Sequence, residues 1–357
     1  MAFASAAGYT NLPNGNFSSV IYSKKVQLAF RKKAICGDIT NSDYFGEIAS
    51  QGDTVKIIKE PEVSVSSYAR GTTIAAQDLQ DADFSLTVDK ANYFAFKIDD
   101  IEEAHSHVNF MDLATNRAAF RLADQHDQEV LGYLSGYKQS ALHTNGDTVN
   151  DQVNGTKANT AAGSDELLVA NKLKKGDFGN ITTASAADHS IPVAARLPGA
   201  TALPTAYVSP TMLIARMGRL LDVQNVDKDG RYVVIDPVMM EILMDEDSRF
   251  LNSDFGNTEA LRNGLVLPNW NGFRVYVSNN LPSVGTGAAA TGTDNQDTDY
   301  GVIVAGHDSA VATAEQINKT ETYRDPDSFA DIVRGMHLYG RKILRPEALV
   351  TAKYNLA

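Results

Sequence analysis

The chain has 357 residues, of which 43% are hydrophobic and 21% charged, and this composition excludes a mainly disordered protein. Its formal net charge of −12 argues against a protein that reads DNA sequence, because phosphate contacts need clustered Lys and Arg. The single cysteine, Cys36, excludes an intrachain disulfide and a cysteine-based zinc site, and it is predicted to be a small buried residue.

The N-terminal part is predicted to be an arm followed by a helix. Residues 1–20 are small and polar, with interspersed Gly and Pro, and a helical stretch is expected from about Ser19 to Cys36. The first residues lack a basic segment followed by an apolar one, and no apolar run approaches the roughly 18 residues that a membrane span needs. We therefore expect no signal peptide, no membrane partner and a protein made in the cytoplasm.

A long β-hairpin is predicted next, turning near Arg70. Apolar residues of one parity flank the turn on both sides: Val55, Ile57, Val63 and Val65 before it, and Phe84, Leu86, Val88, Phe94, Phe96 and Ile98 after it. Such alternation is typical of β-strands, here of about 12–15 residues each and on the order of 40 Å long. Lys90 and Asn92 fall on the same face, so the middle of the second strand is not expected to enter the chain's own core.

An isolated two-stranded ribbon is marginally stable and exposes edges that promote aggregation. The pattern therefore favours a neighbouring subunit that covers the hairpin. The alternative is that the hairpin folds back onto its own domain.

A helix of about 25–35 residues is predicted from Asp99 onward, because Ala, Leu, Glu, Gln and Arg are frequent and apolar residues recur every three to four positions. Residues 140–204 contain many turn-forming residues and are interpreted as a surface insertion. A second helix is predicted to begin with Ser209 as N-cap and Pro210 at the first helical position. Strands and a short helix follow up to residue 317, the pattern of an α+β lobe, and the last segment is expected to pair in a sheet.

The sequence carries no recognisable catalytic or ligand-binding motif. It lacks a phosphate-binding loop, a GxGxxG turn, an HExxH helix and a GxSxG elbow. His105 and His107 are two positions apart on a predicted helix, about 200° around its axis, and cannot share a ligand face. Asp227 and Asp229 lack the Glu that a calcium loop requires, so a polar turn is expected there. No catalytic, cofactor-binding or metal-binding residues are therefore assigned.

In combination, four segments resemble the major capsid proteins of tailed bacteriophages with the Hong Kong 97-type fold. "GDTVKIIKEPEVSVSSYARGTTIAAQDLQDADFSLTVDKANYFAFKIDD" is similar to the extended loop of that family, and "HVNFMDLATNRAAFRLADQHDQEVLGYL" to its spine helix. "DEDSRFLNSDFGNTEALRNGLVLPNWNGFRVYVSNNLP" resembles the axial domain, and "VRGMHLYGRKILRPEALVTAKYN" the return into the peripheral domain.

The resemblance implies an α+β phage major capsid fold with the following parts: N-terminal arm and helix 1–52, extended hairpin loop 53–99, spine helix of the peripheral domain 100–139, surface insertion 140–204, second helix of the peripheral domain 205–228, axial domain 229–317 and return to the peripheral domain 318–357. The implied function is self-assembly, through hexamers and pentamers, into an icosahedral head that encloses double-stranded DNA.

In this family the hairpin lies over the adjacent subunit, so the resemblance implies intersubunit contacts at Arg70, Lys90, Asn92 and Phe94. A solvated tip is the alternative for Arg70. The N-terminus lacks a long charged scaffolding segment, which implies a separate scaffolding protein. A portal protein, non-specifically held DNA and, as a further option, a decoration or cement protein complete the expected partners, and the expected location is the virion after assembly in the host cytoplasm.

Two other readings stay open. A bacterial nanocompartment shell shares this fold but encloses protein cargo, and the long N-terminal arm argues against it. A soluble α+β enzyme is the third reading, although no set of acid, base and nucleophile can be assembled from the sequence.

Overall fold

The computed structural model describes residues 34–43, 54–59, 61, 63–71, 73, 76–78, 82–100, 110–135, 167–178, 190–193, 208–243, 269–284, 300–326 and 328–356. The α-helices in these ranges are α1 (Cys36–Ile39), α2 (Phe110–Ser135), α3 (Pro210–Val223) and α4 (Pro237–Leu243). The strands are β1 (Thr54–Lys59), β2 (Ala82–Thr87), β3 (Lys90–Asp99), β4 (Lys172–Leu173), β5 (Ile191–Val193), β6 (Arg231–Ile235), β7 (Asn269–Trp270), β8 (Phe273–Val277), β9 (Ser283–Val284), β10 (Tyr300–His307), β11 (Val311–Arg324), β12 (Ala330–Ile343) and β13 (Leu349–Leu356). This mixture of helices with mostly antiparallel sheets confirms the predicted α+β class.

An eight-stranded sheet forms the larger core, with the order β4-β13-β10-β6-β8-β7 and with β5 and β9 attached to β13 and β10. All five residues of β6 are buried, which explains the apolar run from Tyr232 to Ile235, because both faces of the sheet are covered. Val302 and Val304 of β10 face a cluster that includes α1 and α2 residues, whereas Ile303 and Ala305 face a cluster with α3 and α4.

The start of α3 confirms the predicted cap. Ser209 accepts a hydrogen bond at its hydroxyl from the backbone N–H of Met212 (3.2 Å), and Pro210 occupies the first turn, where its missing N–H costs nothing. Leu213 and Met217, which belong to the predicted apolar stripe, are fully buried against the eight-stranded sheet.

A second sheet, which we call the ribbon, has the order β11-β12-β3. β11 and β12 are antiparallel strands of 14 residues each, and β3 pairs with β12 so that Phe94 lies opposite Gly335. Helix α2 lies on one face of this ribbon. Its 26 residues agree with the predicted length of the spine helix, although the predicted start at Asp99 lies next to residues 101–109, outside the described residues.

The predicted hairpin is present, but its strands are shorter than expected. β1 and β2 pair over six residues each, from Thr54 opposite Thr87 to Lys59 opposite Ala82. The expectation of 12–15 residues per strand is wrong, because the second strand ends at Thr87 and β3 begins at Lys90 in a different sheet. At this break the carbonyl of Thr87 lies against Gly340 of β12, where a Cβ atom would come within 2.2 Å of that oxygen. β3 then runs beside β12 of its own chain, so this half of the predicted strand does not need a neighbour to cover it.

The described parts of the predicted insertion 140–204 are not a surface insertion. β4 and β5 pair in parallel with β13, and Leu167, Leu173, Ile191 and Val193 are buried in the core. Strands of two and three residues are too short to show a periodic pattern, so they read as loop in the sequence.

The predicted boundary at residue 318 does not separate the two sheets. The chain leaves the ribbon at the end of β12, and β13 then pairs with β10 of the eight-stranded sheet. The predicted second helix, α3, packs on that same sheet rather than on the ribbon. The predicted N-terminal arm and nearly all of the predicted helix Ser19–Cys36 lie outside the described residues. At the end of that segment, Cys36 is buried as predicted.

Candidate intersubunit surface

The base of the hairpin is fixed to its own chain. Leu86 of β2 is fully buried with Ala312, Ala314 and Leu344, and Val55 and Ile57 of β1 pack against the same cluster. The apolar side chains on one face of β1 and β2 therefore point inward, as predicted. They pack against the first residues of β11 and against Leu344, which follows β12. The alternative that the hairpin folds onto its own domain is correct for this base.

Beyond the base, the hairpin presents apolar side chains to solvent. Ile58, Val63 and Tyr68 are mostly exposed, and Val65 is 97% exposed. Residues 63–69 belong to no helix or strand in the described part of the chain. Gln77 makes a contact across the hairpin, because its Oε1 accepts hydrogen bonds from the backbone N–H and hydroxyl of Ser64 (2.9 Å each). Exposed β-branched and aromatic side chains grouped in one segment are typical of a surface that another chain covers.

Arg70 lies at the tip of this hairpin, as predicted. It is followed by Gly71, whose φ of +94° places the turn in a region that glycine adopts without strain. The Arg70 side chain is exposed there.

Lys90, Asn92 and Phe94 lie far from the tip, on β3 of the ribbon. The ammonium of Lys90 is 3.3 Å from the carboxylate of its neighbour Asp89. Phe94 stacks with Phe96, with ring centroids 6.1 Å apart, and its ring covers Gly335 on β12. The structure therefore separates Arg70 from the other three candidates.

Asn92 has polar partners inside the chain, which the alternation pattern did not reveal. Its amide donates to the hydroxyl of Tyr339 (3.1 Å) and to Glu129 Oε1 on α2 (3.5 Å). The same carboxylate accepts hydrogen bonds from Tyr339, Arg341 (3.1 Å) and Gln125 (3.2 Å). Burial acts to raise the pKa of Glu129, but the hydrogen bonds from Tyr339, Gln125 and Arg341 outweigh it and hold this pKa below its usual range. The expectation that Asn92 cannot face its own domain is thus wrong, because its amide forms hydrogen bonds with a network of polar and charged side chains between α2 and the ribbon.

A groove of about 330 Å³ runs between β3 and α2. We call it the helix–strand groove, and it is lined by Ala91, Asn92, Tyr93, Phe94, Ala118, Arg121, Leu122 and Gln125. β3 is the edge strand of the ribbon, and Tyr93 is 80% exposed beside the groove. Two of the candidate residues therefore line a partly apolar opening next to a strand edge that pairs with no other described strand.

Sequence reasoning missed the helix side of this groove. Ala118, Leu122 and Gln125 recur at helical spacing on α2, but that spacing is common to any buried helix face. Only the pairing of β3 with β12 brings them beside Asn92 and Phe94. The sequence therefore offered no signal that distinguished them from core residues.

Two aspartates that each follow a histidine in the sequence make contacts within the fold. Asp127, next to His126, is fully buried and accepts backbone hydrogen bonds at the start of α1, and Asp308, next to His307, pairs with Arg274. In the same described ranges, no group of three or more His, Cys, Asp or Glu side chains could hold a metal ion. No helix of the described part is both long and apolar enough to cross a membrane.

Comparison with known proteins points to one class of protein. A model of a phage capsid protein family matches residues 59–352. Among solved structures, one from Mycobacterium phage Che8 is 26% identical, with a TM-score of 0.66 over 94% of this chain and 97% of that chain. The capsid of the cyanophage P-SCSP1u is 20% identical, with a TM-score of 0.65 over 100% and 99% of the two chains, and the capsid of Ralstonia phage GP4 is 11% identical, with a TM-score of 0.60 over 99% and 98%. No curated protein sequence matches the chain.

Proposed function

The chain belongs to the phage capsid protein family, and we propose that its hairpin is the element that joins one subunit of the shell to the next. The protein is a major capsid protein with the Hong Kong 97-type fold, a structural component of the virion that assembles into an icosahedral shell. This assignment disfavours the nanocompartment shell and the enzyme that the sequence left open.

The observation that carries the proposal is the exposed apolar face of the hairpin. Val63, Val65 and Tyr68 are exposed on a segment that has no strand partner in the described part of the chain, although the base of the same hairpin is firmly packed. Apolar surface of this kind gains roughly 25 cal/mol for each Å² that is removed from water. In a shell, the surface that removes it from water belongs to another copy of the chain.

The helix–strand groove is the surface that we propose for this contact. It lies beside the edge of β3, whose backbone can accept a further strand, and it has apolar walls at Phe94 and Leu122 with polar groups at Asn92 and Arg121. An extended hairpin leg with alternating apolar side chains fits such a groove by adding a strand at the edge and inserting every second side chain. Asn92 and Phe94 are then intersubunit contacts while they keep their partners in their own chain.

Arg70 and Lys90 complete the proposed contact set. Arg70 projects from the hairpin tip, where a guanidinium can pair with a carboxylate of the neighbouring subunit. Lys90 lies at the first position of β3, close to the point where the chain passes from the hairpin into the ribbon. Because the side chains of Arg70 and Lys90 are solvated, an ion pair that either forms with a neighbouring subunit is expected to orient the two subunits more than to strengthen their binding.

The wider assembly follows the family. We propose that the shell is built from hexamers and pentamers in the host cytoplasm, with a separate scaffolding protein and a portal protein, and that it encloses double-stranded DNA without reading its sequence. A decoration or cement protein is a further partner in this proposal. The net charge of −12 supports weak DNA contact, because a wall that bound phosphate strongly would oppose both packaging and ejection.

The experiment compares two apolar-to-acidic substitutions at exposed sites. Val65→Asp places a charge on the proposed contact face, and Met212→Asp places the same charge in the first turn of α3, where an acidic residue is favoured. Assembly is followed by size-exclusion chromatography and negative-stain electron microscopy, and folding by circular dichroism. We expect Val65→Asp to fold but to lose shells, and Met212→Asp to form them. Wild-type yields of shells from Val65→Asp would contradict the proposal.

A further inference from the structure

Two histidines meet where the spine helix α2 rests on the ribbon. The rings of His126 on α2 and His337 on β12 have centroids 5.2 Å apart, and both pack against the ring of Tyr339, at 4.6 Å and 4.9 Å. His337 is only 6% exposed, and His126 is half-buried. This pair is a direct contact between the two elements, because one ring comes from each.

Neither imidazole is well supplied with hydrogen-bond partners. The Nε2 atoms of both rings are buried without one. His337 Nε2 lies 3.3 Å from Glu315 Oε1 on β11, an ion-pair distance without hydrogen-bond alignment. Buried polar atoms without partners are rare in native proteins and indicate a site where the protonation state or the packing can change.

The carboxylates nearest to His126 are already engaged. On its own helix, Asp127 is bound to α1 and to Asn280, and Glu129 is bound to Tyr339 and Arg341 on the ribbon. On β11, Glu315 approaches His337 rather than His126. A proton on His126 would therefore create a partly buried cation with no carboxylate free to pair with it and with a second imidazole in contact.

We propose that the His126–His337 pair is an acid-sensitive joint between the spine helix and the ribbon. When His126 is neutral, the two rings pack against Tyr339. In acidic solution a proton on His126 places a partly buried cation against this packed contact, and α2 loosens from the ribbon. The proposal rests on the fold of one subunit, so it does not depend on the proposed contact between subunits.

The direction of the pH effect follows from linkage. Burial and the neighbouring His337 lower the pKa of His126 below 6.5, so the folded state binds its proton less readily than the unfolded state does. Stability must then fall as the pH drops from about 6.5 toward the folded pKa. The pKa of Glu315 is held below its usual value by the contact with His337. Its contribution is therefore lost only at pH values below 4.5, and the loss of stability that begins near pH 6.5 belongs to His126.

The test uses amide hydrogen exchange of the full-length chain, with rates divided by those of the same peptides in denatured chain at the same pH. Peptides from α2 and β12 report on the joint, and a peptide from β10 in the eight-stranded sheet is the internal control. Between pH 7.5 and 5.5 we expect protection at the joint to fall by about threefold to tenfold, since linkage allows up to about tenfold per pH unit, with β10 unchanged.

His126→Gln removes the titrating group and keeps a polar side chain, so the fall in protection should disappear. His337→Gln is the second variant, and it should reduce the fall because it removes the neighbouring side chain that helps to lower the pKa of His126. An undiminished fall in both variants, an equal fall in β10, or no fall in the wild-type chain would overturn the proposal. Because the exchange measurement does not require shells, a chain that failed to assemble would count against the proposed function and not against this joint.

Discussion

Replacing Asp127 by Ala should destabilise the subunit more than any other single change at the junction of its N-terminal segment, spine helix and main sheet. Asp127 is fully buried on α2. Its Oδ1 accepts the backbone N–H groups of Ile35 and Cys36, both at 2.9 Å, and its Oδ2 accepts the amide of Asn280 at 2.7 Å. One carboxylate therefore satisfies the first N–H groups of α1, which its own N-cap residue Ile35 cannot do because its side chain has no acceptor.

The magnitude follows from the groups left without partners. Each buried donor that loses its acceptor costs about 1–3 kcal/mol, and removing one member of a buried charged set costs about 3–5 kcal/mol. With three donors orphaned at once, we expect Asp127→Ala to lower the free energy of unfolding by about 3–5 kcal/mol. For a chain of 357 residues, that corresponds to a fall in the melting midpoint of about 4–7 °C.

Asp127→Asn is the matched control, because the amide oxygen can still accept the two backbone N–H groups. The Asn280 amide can turn over and present its oxygen to the new amide, so this variant should cost no more than about 1–2 kcal/mol. Both variants are compared with the wild-type chain by scanning calorimetry in the same assembly state. An Asp127→Ala protein within about 0.5 kcal/mol of wild type, or equal losses for Ala and Asn, would refute the reasoning.

Two further predictions concern close contacts inside the subunit. Gly340→Ala should lower stability by about 1–3 kcal/mol, because its Cβ would lie 2.2 Å from the carbonyl oxygen of Thr87. Gly37→Ala meets nothing within 4 Å and should be neutral or slightly stabilising, and equal melting midpoints for the two would contradict this account. Tyr354→Phe removes the hydroxyl that donates to buried Asp236. Burial raises the pKa of this carboxyl above its usual value, and the hydrogen bond from Tyr354 offsets part of that rise. We expect a loss of about 1–3 kcal/mol, because a buried acceptor is left without its donor, and a loss below about 0.5 kcal/mol in denaturation curves would argue against it.

Local signals in the sequence predicted the parts of the fold that local physics determines. The cap at Ser209, the proline at position 210 and the stripe of Leu213 and Met217 need only the chain around them. The buried strand β6 and the turn at Gly71 likewise depend mainly on the residues around them in the sequence.

Pairing between distant segments could not be read from the sequence. Alternation from Phe84 to Ile98 is the same whether one strand or two carries it, and only the pairing of β2 with β1 and of β3 with β12 divides it into two strands. Asn92 appears misplaced on an apolar face until Tyr339 and Glu129 are brought to it from other elements. For the candidate surface, turn residues predicted the position of Arg70, whereas the groove depends on how α2 lies beside β3.

The most direct test of the central claim is a cryo-electron microscopy reconstruction of the particles formed by the full-length chain. We predict an icosahedral shell in which density for residues 63–71 of each subunit lies in the helix–strand groove of a neighbouring subunit. A shell in which that density remained on its own subunit, or a chain that stayed monomeric under assembly conditions, would contradict the account.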